Sequence, residues 1–379
     1  MAKLHSIFNI FLAVVLSSLI ACTKGSPYEG VSLTLSGVPE NFMAGQSAVM
    51  TVSMHGVPET GHSSTYRWMS LNPTVVSLAY DGDRAELHAL KGGRAVIIVY
   101  LEECETVTAR ATVDVVYEGD GTIRILAIGN SFSQDAVEQY LYELFQADGQ
   151  KVIIGNMYIG GCTLERHCGN VNEDKAAYEY RKVVGGSKTN RTGVKLSEAL
   201  EDEEWDYVSI QQASGVSGMM ETITPYLPVV LNYVRSMSRP DVKLMWHSTW
   251  AYSTTSDHAE FPNYGKDQMT MYNAIADVSK KIMENALYSI DILVPSGTAV
   301  QNGRTSSLGD TFNRDGYHLE TTFGRYTAAC TWYEAISGKS VVGNSYAPPT
   351  VDSVKRDIAQ NAAHNAVQCP YAVTDMSVW

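Results

Sequence analysis

TIRILAIGNSFSQDAVEQYL, residues 122–141, is where the sequence changes character. The apolar run Ile123–Gly129 stops at Asn130 and Ser131, and Val137, Leu141 and Leu144 then recur at i, i+4 and i+7. That spacing is one apolar face of a helix, and the run before it reads as a strand buried on both sides. A buried strand turning directly into a helix is the start of a strand–helix–strand unit. Working outward, further strands are read at KVIIGNMY (151–158), DYVSIQ (206–211), VKLMWHS (242–248) and SIDILVP (289–295). Helical patterns lie between and after them, at 267–287, 324–337 and 351–367. The alternation predicts an α/β domain over 122–370, a flavodoxin-like three-layer α/β/α arrangement around a five-stranded parallel sheet.

Upstream the pattern differs. From 30 to 117, short alternating runs such as SAVMTVSMHG, RAELHAL and RAVIIVYLE are punctuated by Gly, Pro, Asn and Asp, which predicts an all-β sandwich. YEGDG (117–121) is a turn-rich hinge. Residues 1–22 place Lys3 before an apolar stretch of signal-peptide length, and Leu19-Ile20-Ala21-Cys22 resembles a bacterial lipobox. The expectation is a lipoprotein exported to the cell envelope and held at the membrane through acyl chains on Cys22. No later stretch reaches the roughly 18 apolar residues of a membrane span.

The 379 residues carry a formal net charge of −13 and no basic stripe, which argues against a nucleic-acid partner. Cys162 and Cys168 are close enough in sequence to pair in an oxidising compartment. A zinc site from Cys162, His167 and Cys168 lacks a fourth ligand and matches no common spacing.

In an open parallel sheet, ligands gather at the carboxyl ends of the strands. Four segments belong there or in loops that reach it: Gly129-Asn130-Ser131, Gly160-Gly161-Cys162-Thr163, Gln211-Gln212-Ala213-Ser214 and Asp315-Gly316-Tyr317-His318. A serine at a strand-to-helix turn is either a helix N-cap or an exposed nucleophile beside free helix N–H groups. The nucleophile reading needs a base and a group to orient it; Asp315 and His318, three residues apart, supply both. Backbone N–H groups of Ser131 and Gly161, and a side-chain amide from Gln211 or Gln212, are candidates for the oxyanion hole, with Ser214 a third side-chain option. Trp246, His247, Trp250 and Tyr252 follow the fourth strand and either line a sugar pocket or pack the core. His167, with Glu165 and Arg166, lies just past the second segment, within reach of a polar substrate; Arg304 and Arg314 flank the fourth.

These four segments, in this order, resemble the SGNH hydrolase superfamily, the GDSL-type esterases. More closely, ILAIGNSFS, YIGGCTLERH, WDYVSIQQAS and RDGYHL are similar to an SGNH-like family of Bacteroidota lipoproteins. YRWMSLNPTVVSL and ELHALKGGRAVIIVYLE, with Trp68, Ser70 and Pro73 and then Gly93, Ala95 and Ile97, resemble the bacterial Ig-like domain of group 2. The first resemblance implies a serine esterase with Ser131 as nucleophile, His318 as base and Asp315 as its orienter. It implies no metal or organic cofactor, and an acylated glycan, acetyl foremost, as substrate. Two positions depart from the superfamily pattern: Asn130 stands where Asp is usual, and Gln stands in the third segment where Asn is usual. Those departures leave open a second expectation, an SGNH-like scaffold that binds glycan without turning it over. A lipase or phospholipase is a third, and would call for a large apolar acyl channel.

Overall fold

The computed structural model describes residues 26–58 and 62–379, so the lipobox and Cys22 lie outside the described residues. The chain divides into two compact units after Glu118.

The first unit is built from β1 (Ser32–Ser36), β2 (Phe42–Met43), β3 (Ser47–His55), β4 (Tyr66–Ser70), β5 (Val76–Asp81), β6 (Arg84–Ala89), β7 (Gly93–Leu101) and β8 (Cys104–Val116). They form two four-stranded sheets, β1-β3-β6-β5 and β2-β8-β7-β4. Alternation does the work: along β7, Ala95, Ile97, Val99 and Leu101 are buried and the residues between them are not. Those side chains meet Met50, Val52, Leu87 and Trp68 in one core. Trp68 lies within it, its indole N–H donating to the Gly82 carbonyl at 3.2 Å.

The second unit opens with β9 (Thr122–Gly129), α1 (Ser131–Val137), α2 (Leu141–Ala147), β10 (Lys151–Tyr158) and α3 (Leu164–Asn172). It continues through β11 (Tyr178–Val184), β12 (Ser187–Val194), α4 (Leu196–Asp202), β13 (Tyr207–Ile210) and α5 (Leu227–Met237). It ends with β14 (Lys243–His247), α6 (Gln268–Glu284), β15 (Ile292–Val294), α7 (Ser296–Arg304), α8 (Phe323–Ser337) and α9 (Ser353–Gln368). The sheet order is β12-β11-β10-β9-β13-β14-β15. Neighbours from β10 to β15 run parallel, while β11 and β12 are antiparallel additions at one edge. The sheet therefore has seven strands where the sequence pattern predicts five. The added hairpin turns at Gly185-Gly186, both at positive φ, as a tight hairpin turn requires.

Successive residues of β9 enter opposite cores. Ile125 and Ala127 join Phe132, Val137, Leu144 and Trp332 on one side of the sheet; Leu126 and Ile128 join Leu164, Leu200, Trp205 and Leu227 on the other. Layers on both faces are what make β9 apolar throughout. The helical pattern after Ser131 is not one helix. Tyr140, at φ +68, breaks it into α1 and α2, and Leu141 and Leu144 still reach the core from the second piece.

Candidate active site

Ser131 is the first residue of α1, and its position follows from Asn130. The Asn130 side chain accepts from the Phe132 N–H at 2.9 Å and caps the helix, so the chain turns sharply where β9 ends. Ser131 is therefore not the cap. Its Oγ lies 2.8 Å from His318 Nε2, a contact spanning 187 residues. His318 Nδ1 lies 2.7 Å from Asp315 Oδ2, and the other carboxylate oxygen accepts the His318 backbone N–H at 2.8 Å. Partial burial pushes the Asp315 carboxyl up, but the hydrogen bonds from the His318 side chain and backbone outweigh it and hold the group below its ordinary value. Asp315 is thus an acceptor at neutral pH. That places the ring proton on Nδ1 and leaves the Nε2 lone pair facing the Ser131 hydroxyl.

The loop carrying Asp315 and His318 is pinned to α1 by a residue that the sequence reading missed. Asp135, one turn after Ser131, is fully buried. Its carboxylate accepts from Arg314 Nη1 at 3.0 Å, from the Leu319 N–H at 2.8 Å and from Arg325 Nε at 2.8 Å. Arg314 also donates to the Leu319 carbonyl. Asp135 sits at i+4 from Ser131, a position that shares the helix face of the nucleophile; that spacing is the signal that could have found it. On the far side of the loop, Trp250 donates its indole N–H to the Tyr317 carbonyl at 2.7 Å and stacks on Phe132 at 4.4 Å. Arg304, fully buried, pairs with Asp310 at 2.9 Å and donates to Asn313 Oδ1 at 2.5 Å, steadying the approach to the loop. Both flanking arginines thus bind carboxylates, and the carboxylates are the protein's own.

Below the serine turn runs a buried chain of polar groups whose directions can be assigned. The Phe132 N–H can only donate, so the atom of Asn130 facing it is Oδ1; Asn130 Nδ2 then donates to the Cys162 carbonyl at 3.1 Å. Gln211 Nε2, 2.9 Å from that same Oδ1, must be the donor, which turns Gln211 Oε1 toward His247 Nδ1 at 2.9 Å. His247 therefore carries its proton on Nδ1, and its Nε2 accepts from the Ser296 hydroxyl at 3.1 Å. Burial drives the His247 pKa down to about 3, so the ring stays neutral. Gly129 is needed here for space: a Cβ would lie 2.8 Å from Gln211 Cδ and 2.7 Å from Ser133 Oγ. Asn at 130 also has a reason. Its two ends meet a backbone donor and a backbone acceptor, and a carboxylate there would face the Cys162 carbonyl with no proton to give.

The remaining expectations sort by their hydrogen bonds. Gly161, at φ +60, lies in the turn closed by the Cys162 N–H on the Ile159 carbonyl at 3.1 Å. The backbone N–H groups of Ser131 and Gly161 have no partner among the described residues. Gln212 is engaged at both ends: Nε2 donates to Thr222, and Oε1 accepts from the Leu164 and Ala213 N–H groups at 2.9 and 2.8 Å. Its amide braces the β13 loop against α3, which corrects its assignment to the oxyanion hole. Gln211 spends one amide donation on Asn130, as described. Ser214 Oγ is held by the Tyr252 hydroxyl at 2.9 Å. Trp246, Trp250 and Tyr252 are all buried, so none offers an open face to a sugar. His167 is buried as well, with Nδ1 on the Tyr178 hydroxyl at 2.9 Å, and burial followed by the nearby Arg166 lowers its pKa to about 3. Cys162 and Cys168 are separate buried thiols rather than a disulfide. Among the described residues, no group of three His, Cys, Asp or Glu is placed to hold a metal ion.

Fold and site together define an α/β protein with a Ser–His–Asp constellation at the carboxyl edge of its parallel sheet. Within that class the chain belongs to the DUF4886 family, a domain of unknown function whose model matches residues 124–366. It is similar to a DUF4886 family protein from Bacteroides uniformis ATCC 8492, whose crystal structure is 52% identical, with a TM-score of 0.66, over 67% of this chain and 98% of that one. More distant matches are TesA, at 15% identity and TM-score 0.37 over 57% of this chain and 98% of that one, and a catalytic mutant of Axe2, an acetylxylan esterase from Geobacillus stearothermophilus. The latter is 11% identical, with a TM-score of 0.34, over 58% of this chain and 94% of that one. No curated protein matches the chain.

Proposed function

We propose that the protein is a serine esterase of SGNH type that removes O-acyl groups, acetyl foremost, from carbohydrates. The observation that carries this reading is the continuous contact from Ser131 Oγ through His318 to Asp315, at 2.8 and 2.7 Å. In the reaction, Ser131 Oγ attacks the ester carbonyl while His318 Nε2 takes its proton. Asp315 stabilises the imidazolium, and the Ser131 and Gly161 N–H groups receive the oxyanion. The tetrahedral intermediate then expels the sugar alkoxide, which takes the proton from His318 and leaves an acyl-Ser131. Water, deprotonated by His318, attacks that ester; the carboxylic acid leaves and the Ser131 oxygen takes the proton back from His318. No step calls for a cofactor. Lipidation at Cys22 would tether the enzyme in the cell envelope, with the sandwich, read as a group 2 bacterial Ig-like domain, as spacer.

The test is p-nitrophenyl acetate hydrolysis by the protein from residue 23 onward, beside Ser131→Ala. Turnover lost in the variant supports the esterase; no turnover by the unmodified protein refutes it. A second reading, a glycan-binding scaffold without turnover, draws on one observation. The Gln211 and Gln212 amides expected at the oxyanion are bonded to Asn130 and Thr222, so stabilisation there rests first on two backbone N–H groups.

A further inference from the structure

Beside the catalytic loop lies a cluster that the esterase steps do not use. The Tyr317 ring packs on His318 at 4.2 Å, and the His258 ring packs edge-on to Tyr317 at 4.7 Å. The segment carrying His258 is clipped to the loop by the Ser253 N–H on the Gly316 carbonyl at 2.8 Å. Gly316, at φ +89, leaves no room for a side chain, since a Cβ would lie 3.0 Å from Ser256 Cα. Two residues past His258, Glu260 donates its backbone N–H to His258 Nδ1 at 3.3 Å. Phe261 and Tyr264, both buried, anchor the turn that follows. His318, Tyr317 and His258 therefore form one continuous run of rings, and the Glu260 backbone joins it at His258.

Glu260 is partly exposed, and its carboxylate lies beside Gly215, in the loop after β13; a Cβ at 215 would lie 1.9 Å from its Oε2. That loop is itself held to the segment by Asn263 Nδ2 on the Gly215 carbonyl at 3.3 Å. Among the described residues, no donor or cation bonds the Glu260 carboxylate. A partly exposed carboxylate with no protein donor is an acceptor open to the O–H groups of a ligand. His258 adds the complement: with Nδ1 accepting from Glu260, the neutral ring carries its proton on Nε2, which has no acceptor among the described residues. An acceptor carboxylate, an N–H donor and a half-buried phenol ring, side by side, suit a ring with adjacent hydroxyls. They do not suit an alkyl chain, and the carboxylate repels uronates and phosphates.

We propose that Glu260, with His258 and Tyr317, forms a leaving-group subsite that selects a neutral polyhydroxylated alcohol, Glu260 accepting from two adjacent hydroxyls. This rests on the esterase reading and narrows its substrate to esters of uncharged polyols with free neighbouring hydroxyls. Two measurements test it. First, wild-type protein is assayed on p-nitrophenyl acetate, on 6-O-acetylglucose and on the counterpart of the latter with its remaining hydroxyls methylated. The expected result is at least tenfold higher kcat/KM on the free sugar ester than on the methylated one, with that ratio falling at least tenfold in Glu260→Gln and recovering in part in Glu260→Asp. Equal rates on the two sugar esters, or an unchanged ratio in Glu260→Gln, overturn the subsite while p-nitrophenyl acetate turnover keeps the esterase. Second, Ser131→Ala protein is titrated calorimetrically with 6-O-acetylglucose, with and without Glu260→Gln. Binding weakened at least tenfold by Glu260→Gln supports the subsite even where no ester is turned over, an outcome that would refute the esterase alone. Absence of binding, or binding indifferent to Glu260, overturns the subsite.

Discussion

Two histidines serve the turn at Ser131, and their surroundings give them opposite work. His318 stands on a loop, its side chain 18% exposed, with a carboxylate on one nitrogen and a hydroxyl on the other. His247 stands at the end of a central strand, fully buried, between an amide oxygen and a hydroxyl. A ring flanked by a carboxylate can take a proton and hold it, because the charge that forms is met at once. A ring flanked by neutral groups in a dry core cannot, and burial holds its pKa near 3. The comparison separates the group that moves a proton from the group that keeps a backbone turn in place.

The largest effect is expected at the mobile proton. Ser131→Ala and His318→Gln should each lower kcat on p-nitrophenyl acetate by at least about 10³-fold, and the double variant by no more than the worse single one, because the groups act as a unit. Asp315→Asn should cost about 10²-fold in kcat, since an amide no longer favours the Nδ1–H tautomer. Asp135→Asn tests the tie between the two parts of the triad. It takes the charge from a buried carboxylate facing Arg314 and Arg325, and urea unfolding should show a loss of about 3 kcal/mol. His247→Gln should lower kcat by about tenfold with KM little changed, because it releases Gln211 from beneath the Asn130 turn.

The smallest effect is on stability against pH. His247 and His167 both titrate near 3 in the folded protein and near 6.5 when unfolded. The unfolded chain therefore binds protons first as the pH falls. The stability from their burial is full above pH 6.5 and is lost progressively below it, each contributing a slope of up to about 1.4 kcal/mol per pH unit. Urea midpoints at pH 7.5 and 5.0 should differ less in His247→Gln than in the unmodified protein; an equal difference would show that His247 is not buried neutral.

What could be read from sequence was what is local. Asp315 and His318 are three apart in one loop, and Ser131 ends an apolar strand, so residue type and spacing alone bring them into consideration. What escaped was what depends on three dimensions. The role of Gln211 is decided by the Phe132 N–H and the Cys162 carbonyl, both contacts of Asn130 and neither adjacent to Gln211 in sequence. The β11–β12 hairpin was missed because β12, SKTNRTGV, is exposed at every residue but the last and carries no apolar alternation. Trp250 and Tyr252 read equally as sugar platform or core until packing assigned them to the core.

The most direct measurement of the central claim is covalent. An activated phosphonate ester should react once per molecule, and peptide mass spectrometry should place the adduct on Ser131, with labelling slowed sharply in His318→Gln and absent in Ser131→Ala. Labelling at a different residue, or equal labelling with and without the imidazole, would contradict the assignment of Ser131 as a nucleophile activated by His318.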